Sequence, residues 1–362
     1  MRIAVVSDYL DPNNWGGAAR NAAEQALAFK DLGHEVTLIA PSGSEQLILG
    51  INHVSWLRKG RWSSVLKTKS RISSAIKDCQ PELAILHQPL TAFFVQQSFP
   101  QLRTRYTFNS SWVDEVRSKG VTLGLTLRDK MQHLCLKRSE KIFVSSSYTK
   151  EILLNIDPQF ECKTIENPLA VKSPPFQISQ SKPDLRDKYN IPKSQSLVLC
   201  TFRRLIARTG VDLFLEVVAQ MPNVFALVGG SGEDRSDLEN KALLLGIQDR
   251  IIFLGYVEEE LMIEILQGSD ISVIPSLELE GFGLSTLESL ACGCPVAATP
   301  TGNNTTLLKN CGFDKMIAQN IDATSLANCI NKVVDQRYEA FQLSQTVTSN
   351  YSWIKHAETL LT

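Results

Sequence analysis

The amino-acid sequence predicts an α/β protein built from two doubly wound parallel sheets, and three observations lead to this prediction. The chain has 362 residues, more than one ordinary hydrophobic core accommodates, so we expect two domains. Short apolar runs alternate with helical patterns in both halves, as in parallel sheets covered on both faces. A polar segment with three prolines, 172–183, separates the halves. The predicted domains are residues 1–172 and 187–345, with a linker at 173–186.

In the first half, short apolar runs are predicted strands and the segments between them are predicted helices. The clearest helical pattern, Ala19–Leu32, ends at Gly33, a residue that tolerates the left-handed backbone found after helix C-termini. The predicted strands are Ile3–Val6, Val36–Ile39, Leu83–Leu86, Arg105–Phe108 and Lys141–Val144.

The second half repeats this plan. Predicted helices lie near Asp212–Gln220, Asp234–Leu245 and Leu261–Gln267. Because ligands of open α/β sheets bind beyond the carboxyl ends of the strands, we expect the two sheets to face one central cleft. The predicted strands are Leu197–Thr201, Val224–Val228, Ile251–Phe253, Ile271–Ile274 and Val296–Ala298.

The bulk composition is typical of a soluble globular protein. Apolar residues make up 43% of the chain and charged residues 21%. The formal net charge of −1 gives no nucleic-acid signature. No apolar span of 18 residues occurs, and the apolar run at the N-terminus is too short for a signal peptide. We therefore expect a cytoplasmic protein whose first apolar run is a strand.

The cysteines favour reduced, buried thiols over a metal site. Cys292 and Cys294 are separated by one residue, but no second pair with metal-ligand spacing follows. Scattered thiols of this kind are common in cytosolic proteins. The eight cysteines are at 79, 135, 162, 200, 292, 294, 311 and 329.

Two glutamates, Glu280 and Glu288, bracket a glycine-bearing turn. The turn follows the apolar run Ile271–Ser276 and opens a helical run at Leu287–Cys292. Such a turn presents free backbone N–H groups that suit a phosphate or a sugar hydroxyl. If the stretch were helical, the two carboxylates would share roughly one face.

This Glu-x7-Glu spacing resembles the signature of retaining glycosyltransferases of the GT4 family, which have the GT-B fold. The resemblance covers essentially the whole chain. It implies two Rossmann-like domains facing a cleft, with a C-terminal segment, 346–362, that returns to the first domain. It further implies that Glu288 holds the ribose of a sugar nucleotide and that Glu280 faces the transferred sugar.

Other turns resemble donor-binding elements of the same family. Phe282, Gly283 and Leu284 lie inside the glutamate signature and are implied donor contacts. Gly16 and Gly17 stand between the first strand and the first helix, where the backbone can pass close to an anion. They are similar to the family's Gly-Gly loop, which touches the diphosphate or the sugar.

Two further segments resemble the family's nucleotide-binding surface. Gly229 belongs to a strand, glycine turn and helix start over 226–233, which is similar to the loop that borders the nucleotide. Tyr256 follows a strand and is in the position of the segment that lines the base. Its ring can stack, but these residues do not indicate which base is bound.

A pair of arginines follows the first strand of the second half. Arg204 and Arg208 have an i, i+4 spacing, and guanidinium groups offer forked donors that suit phosphate oxygens. The family has arginine and, five residues later, lysine. This chain has Thr209 at the lysine position and Arg208 one residue earlier. The resemblance implies that Arg204 and Arg208 contact the diphosphate, whereas two solvated surface arginines are the alternative.

Asn109 ends a strand of the first half at the position where the family has a histidine that contacts the transferred sugar. Asparagine donates and accepts hydrogen bonds but cannot exchange a proton near neutrality. Three interpretations remain: the role is hydrogen bonding only, His87 at another strand end assists, or activity is impaired. His87 could equally be a satisfied polar residue.

Several other chemistries find no support in the sequence. There is no Gly-x-Ser-x-Gly nucleophile elbow and no P-loop lysine motif. An Asp-x-Asp triplet, which clamps a metal-bound diphosphate in other glycosyltransferases, is absent as well. Residues 57–77 carry seven lysines or arginines and no acid. This segment is predicted to be either a peripheral contact with an anionic membrane at its inner face or a solvated helix.

The sequence therefore predicts a retaining, metal-independent glycosyltransferase. Its donor substrate is a nucleotide-diphospho-sugar of undetermined base, its acceptor is a hydroxyl group, and no other cofactor is expected. The predicted catalytic residues are Glu280, Arg204, Arg208 and Asn109. The alternatives are a non-catalytic sugar-nucleotide-binding protein and a GT-B-like epimerase that acts on the sugar nucleotide itself.

Overall fold

The computed structural model describes residues 1–7, 17–41, 51–56, 63–117, 123–171, 184–192 and 194–362. Contacts divide the chain into two units. Residues 1–169 and 353–362 form the first, and residues 170–352 form the second. The return to the first unit thus begins at Trp353, seven residues after the predicted start at 346. The predicted linker lies outside the described residues as far as 183, and a short helix of the second unit begins at Leu185.

The first unit contains a seven-stranded parallel sheet with the order β3-β2-β1-β4-β5-β6-β7. The interior strand Leu83–Leu86 is buried along its whole length and Lys141–Val144 is buried after its first residue, which explains their apolar sequences. Sequence analysis missed β3 and β7, the two edge strands, because neither has a continuous apolar run. The strands are β1 (Arg2–Val6), β2 (Glu35–Pro41), β3 (Asn52–Trp56), β4 (Leu83–Leu86), β5 (Arg103–Phe108), β6 (Lys141–Val144) and β7 (Thr164–Glu166).

Helices alternate with these strands. The predicted first helix is present with bounds shifted by one or two residues. The helices are α1 (Gly17–Asp31), α2 (Ser63–Cys79), α3 (Pro89–Ser98), α4 (Trp112–Arg117), α5 (Leu125–Arg138) and α6 (Ser147–Ile156). In α2, Ile72 and Ile76 are buried in the core of the unit. Within the described side chains of this helix, from residue 67 onward, these apolar residues therefore pack inside the protein, while Lys69, Arg71 and Lys77 are exposed.

The second unit contains a five-stranded parallel sheet with the order β10-β9-β8-β11-β12. All five strands lie within two residues of their predicted bounds. The strands are β8 (Leu197–Phe202), β9 (Val224–Gly229), β10 (Ile251–Gly255), β11 (Ile271–Ile274) and β12 (Val296–Ala298). The chain order reverses between β8 and β11, so their carboxyl ends form a topological switch point, the usual ligand position in such sheets.

Helices again connect these strands. They are α7 (Leu185–Lys188), α8 (Val211–Gln220), α9 (Arg235–Leu244), α10 (Glu259–Gly268), α11 (Leu284–Ala291), α12 (Asn304–Asn310), α13 (Ala323–Gln336) and α14 (Ala340–Asn350). The amphipathic α13 shows why they form: its buried residues recur with helical spacing, and Asp322 caps its first turn through the backbone N–H of Ser325.

The last helix, α15 (Trp353–Leu361), completes the first unit. His356 Nε2 lies 2.9 Å from Gln25 Nε2 of α1, and the His356 carbonyl accepts a 3.1 Å hydrogen bond from Asn167 Nδ2. Arg105 on β5, only 2% exposed, donates to the carbonyl of Leu360. These contacts show that α15 is an integral part of the first core. Among the described residues, no helix has both the length and the apolar character needed to cross a membrane.

Candidate active site

An ion pair between Arg203 and Glu280 lies at the switch point of the second sheet. Arg203 follows β8, and Glu280 belongs to the loop after β11. Arg203 Nη2 donates to Glu280 Oε2 at 2.6 Å and to Ser276 Oγ at 2.7 Å. Arg203 Nη1 donates to Ser285 Oγ, at the start of α11, at 3.2 Å. Ser276 Oγ in turn donates to Glu280 Oε2 at 2.7 Å. One guanidinium therefore joins three segments around the glutamate.

Glu280 is ionised despite its burial. Its exposed fraction is 9%, and burial alone raises the pKa of a carboxyl group. The charge of Arg203, hydrogen bonds from Ser276 and Arg203, and the charge of Arg208 outweigh that effect, so the pKa of Glu280 lies below its ordinary value. The site therefore presents a fixed carboxylate near neutral pH.

The turn after β12 holds the Glu280 loop in place. Thr299 Oγ1 and Thr301 Oγ1 donate to the carbonyl of Ser276 at 2.6 and 2.7 Å. The Asn303 backbone N–H donates to the Glu280 carbonyl at 2.9 Å. Gly302, at φ +55°, lies so close that an added Cβ would be 2.2 Å from that same carbonyl oxygen. Sequence analysis did not identify the residues of this turn as part of the site. The only feature of the sequence that could have indicated them is a cluster of small polar residues directly after a predicted strand.

Glu288 and Glu280 do not share a helix. Glu280 precedes α11, which begins at Leu284 after Gly283, whereas Glu288 lies within the helix. Glu288 is half-buried and stands three residues after Ser285, on a neighbouring part of the helix surface. Glu280 therefore belongs to the loop at the switch point and Glu288 to the helix that follows it, so the two carboxylates do not share one helical face.

The residues between the two glutamates differ in accessibility. The Phe282 side chain is 5% exposed and packs edge-on against Tyr351, with ring centroids 6.0 Å apart. Gly283 has φ +96°, and a Cβ there would lie 2.8 Å from Asn304 Oδ1. Leu284 is half-buried in the first turn of α11. The backbone of this turn, with N–H groups unpaired inside the helix, is the part suited to a ligand.

The structure gives the residues of the arginine segment, 203–209, different environments from those that the sequence predicted. Thr209 is 3% exposed, and its hydroxyl donates to the carbonyls of Arg204 and Ile206 at 2.7 Å each. It is therefore a structural residue that cannot replace a lysine. Arg204 is exposed, and Arg208 is half-buried with its charge acting on Glu280. The direct contact with Glu280 is made by Arg203, a residue to which sequence analysis assigned no role.

The predicted nucleotide loop packs tightly against the end of β8. A Cβ on Gly229 would lie 2.4 Å from the Phe202 ring, so a glycine is required there for packing. The Gly229 carbonyl accepts a 3.0 Å hydrogen bond from the Arg203 N–H. Tyr256, after β10, is 47% exposed, so much of its side chain is accessible to a base.

In the first unit, Asn109 and His87 follow adjacent strands, β5 and β4. Within the described part of the chain, the buried Oδ1 of Asn109 has no hydrogen-bond partner. His87 is 3% exposed. Burial and the charge of His356 lower the pKa of His87 to about 3, so its imidazole is a weak base near neutrality. Gly17 begins α1, and Gly16 lies outside the described residues.

Two family models match this chain, one in each unit. The model described as Glycosyltransferase Family 4 matches residues 15–169, and the model described as Glycosyl transferases group 1 matches residues 181–349. The chain belongs to the GT4 glycosyltransferases. The family predicted from the Glu280 and Glu288 signature is confirmed.

Curated relatives agree with this assignment. An uncharacterized glycosyltransferase of Methanocaldococcus jannaschii is 26% identical over 188 residues, which cover 50% of this chain and 47% of the relative. A D-inositol 3-phosphate glycosyltransferase of Mycolicibacterium smegmatis is 28% identical over 187 residues, or 50% of this chain and 42% of the relative. These matches thus span under half the length of either relative.

A solved structure shows that the fold of this GT4 chain is GT-B. Sucrose-phosphate synthase from Thermosynechococcus elongatus matches with a TM-score of 0.80 and covers 99% of this chain and 97% of that one. At 18% identity, the likeness establishes the fold alone. The predicted fold class, α/β with two parallel-sheet domains, is confirmed.

Proposed function

We propose that this protein transfers a sugar from a nucleotide-diphospho-sugar to a hydroxyl acceptor, with retention of the anomeric configuration. The observation that carries the proposal is the fixed Glu280 carboxylate beside the first turn of α11, at the switch point of the second sheet. The turn offers backbone N–H groups to the diphosphate, and the carboxylate offers an acceptor to sugar hydroxyls. Family membership supports the same reaction class.

A donor screen tests this function. Thermal unfolding is measured with the nucleoside diphosphates of each base and with their sugars, because a ligand that binds only the folded state raises Tm. Donors that bind are then incubated with and without hydroxyl acceptors. Transfer of the sugar supports the proposal. An altered sugar on an intact nucleotide would instead indicate an epimerase, and binding without turnover would indicate a non-catalytic receptor.

The nucleotide half of the donor is proposed to lie along α11 and the neighbouring loops. Glu288 would hold the ribose hydroxyls. Gly229 and Tyr256 would border the base, and the backbone at Phe282, Gly283 and Leu284 would contact the diphosphate. Gly17, at the start of α1, would contact the diphosphate or the sugar. The same contact is proposed for Gly16 on the basis of the sequence alone.

Glu288→Ala is expected to weaken binding of the cognate nucleoside diphosphate by about 1.5–3 kcal/mol, because a charged hydrogen-bond partner of the ribose is lost. Isothermal titration calorimetry measures this change. Glu278→Ala is the matched control, since Glu278 is an exposed carboxylate in the neighbouring loop. Equal affinities for Glu288→Ala and the wild type would remove the ribose role from Glu288.

Arg204→Ala is expected to lower turnover about 100-fold, by analogy with the removal of one group that stabilises transition-state charge. The exposed Arg204 guanidinium would pair with the departing diphosphate. Arg208→Ala is expected to act in the same direction. Steady-state kinetics on folded variants measures both effects, and full activity of Arg204→Ala would contradict the diphosphate role.

The proposed chemistry is attack by the acceptor hydroxyl on the face from which the diphosphate leaves. The bond between the anomeric carbon and the diphosphate oxygen breaks, and a departing phosphate oxygen takes the acceptor proton. This route needs no histidine base at position 109, so Asn109 would only hydrogen-bond the sugar. The weakly basic His87 fits the same route.

Activity is expected to survive EDTA, because Arg204, Arg208 and the first turn of α11 can neutralise the leaving diphosphate and the sequence has no Asp-x-Asp clamp. The product is expected to keep the anomeric configuration of the donor. NMR of the anomeric proton, with an EDTA-treated sample beside it, tests both points. Inversion, or loss of activity that a divalent metal restores, would overturn this mechanism.

The acceptor is proposed to approach through the first unit. The Mycolicibacterium relative acts on an inositol phosphate, which makes phosphorylated polyols the first acceptors to screen. The exposed lysines and arginine of α2 form a basic surface that would attract anionic lipid headgroups. Ile72 and Ile76 are buried, so these two side chains would not take part in such a peripheral contact of residues 57–77.

A further inference from the structure

The position of Arg203 distinguishes it from the arginines that would meet the donor. Its side chain is 9% exposed and bonds to Ser276, Glu280 and Ser285. Ser276 and Glu280 belong to the loop after β11, and Ser285 belongs to the first turn of α11. Arg203 therefore fixes the position of the Glu280 carboxylate relative to the helix N-terminus.

The hydrogen bonds leave one oxygen of Glu280 for a ligand. Arg203 Nη2 and Ser276 Oγ both donate to Oε2, at 2.6 and 2.7 Å. Neither bond engages Oε1, the other carboxylate oxygen. Because a carboxylate accepts hydrogen bonds at both oxygens, Oε1 retains the capacity to accept from a sugar hydroxyl.

We propose that Arg203 is a positioning residue that, together with Ser276, occupies Glu280 Oε2 and thereby directs Oε1 toward the hydroxyl groups of the transferred sugar. This inference rests on the proposed function. In this arrangement Arg203 acts through Glu280 and does not touch the donor. Its neighbour Arg204 is exposed and therefore accessible to the diphosphate.

Burial explains why an arginine is needed at this position. A buried carboxylate is costly unless it is paired and hydrogen-bonded. One planar guanidinium reaches the Ser276, Glu280 and Ser285 side chains at once, whereas a lysine ammonium is a single point charge on a flexible stem. Arg203→Lys is therefore expected to keep part of the pairing with Glu280 and, with it, only part of the alignment of the carboxylate.

A double-mutant cycle tests the proposal. The variants are Arg203→Met, Glu280→Gln and the combination of both, and kcat, KM and nucleoside-diphosphate affinity are measured for each. Arg203→Met alone is expected to lower kcat about 100-fold, the typical effect of misplacing a reacting group by about 1 Å. In the Glu280→Gln background the same change is expected to have little further effect, since its target is already lost. Arg204→Met is the contrast, because it is expected to weaken diphosphate binding in both backgrounds.

A second measurement is independent of sugar transfer. In the wild type, the lowered pKa of Glu280 contributes stability at neutral pH that is lost as the pH falls through that pKa. Without the guanidinium, only the Ser276 hydrogen bond and the Arg208 charge oppose the effect of burial. The pKa of Glu280 in Arg203→Met is therefore expected to rise above its ordinary value, and the variant is expected to lose stability as the pH rises above that value. The stability difference between Arg203→Met and the wild type is expected to grow with pH, and this growth is expected to disappear in the Glu280→Gln background.

The outcomes separate the inference from the proposed function. If Arg203→Met and Glu280→Gln lower kcat by factors that multiply in the double variant, the positioning role is overturned. It is also overturned if the stability difference between Arg203→Met and the wild type does not depend on pH. If the wild type transfers no sugar, the proposed function fails, and the pH-dependent stability cycle still decides whether Arg203 controls Glu280. Partial recovery of kcat by Arg203→Lys, with unchanged diphosphate affinity, would support the inference further.

Discussion

Glu280→Gln is expected to lower turnover about 100-fold while leaving nucleoside-diphosphate affinity nearly unchanged. The substitution keeps the shape of the side chain but removes the negative charge that Arg203 and Ser276 hold in place. A neutral amide accepts hydrogen bonds from sugar hydroxyls less strongly than a carboxylate does. The nucleotide contacts proposed for Glu288 and the α11 backbone are not altered.

Steady-state kinetics and calorimetry together test this separation of roles. Glu278→Gln makes the same chemical change at an exposed position two residues earlier, and it is expected to behave as the wild type. Glu280→Gln also leaves Arg203 without its ionic partner, which would cost about 3–5 kcal/mol if the charge were fully buried. Chemical denaturation therefore has to confirm that the variant is folded. If turnover and diphosphate affinity fall together, Glu280 has a nucleotide role instead.

Gly302→Ala is expected to destabilise the protein by at least about 3 kcal/mol and to abolish most of its activity. Gly302 has φ +55°, which disfavours any side chain. Its added Cβ would also lie 2.2 Å from the Glu280 carbonyl oxygen and 3.0 Å from the Glu280 Cβ. The backbone that carries the Glu280 carboxylate would have to move.

A matched substitution separates the two causes. Gly246 has a similar φ of +67°, but nothing lies within 4 Å of its added Cβ. Gly246→Ala therefore carries only the conformational cost of a left-handed residue, about 1–2 kcal/mol, and should leave activity intact. Urea denaturation of both variants gives the difference between their free energies of unfolding. If Gly302→Ala and Gly246→Ala destabilise the protein equally, the Glu280 loop moves to accommodate the extra methyl group at little energetic cost.

Much of the fold could be read from the sequence because parallel strands buried on both faces are nearly continuous apolar runs. Strands such as Ile271–Ile274 and Val296–Ala298 have the predicted bounds. Edge strands lack this signal: Asn52–Trp56 has alternating polar residues, and Thr164–Glu166 has three residues only. Their assignment depends on pairing with a neighbouring strand, which is a long-range property.

The sequence by itself determined the family and the α/β class, and it singled out Glu280 and Glu288 as candidate site residues, because their spacing around a glycine turn is a local pattern. Which arginine reaches Glu280 was decided only by the tertiary structure. Arg203 and Arg204 are adjacent and chemically identical, and the direction of each side chain depends on how the end of β8 packs against the loop after β11. The same is true of Thr209, whose buried hydroxyl bonds backbone carbonyls of its own turn. Side-chain direction at a strand end is determined by neighbours that are far away in the sequence, and for that reason the Arg203–Glu280 pair could not be predicted.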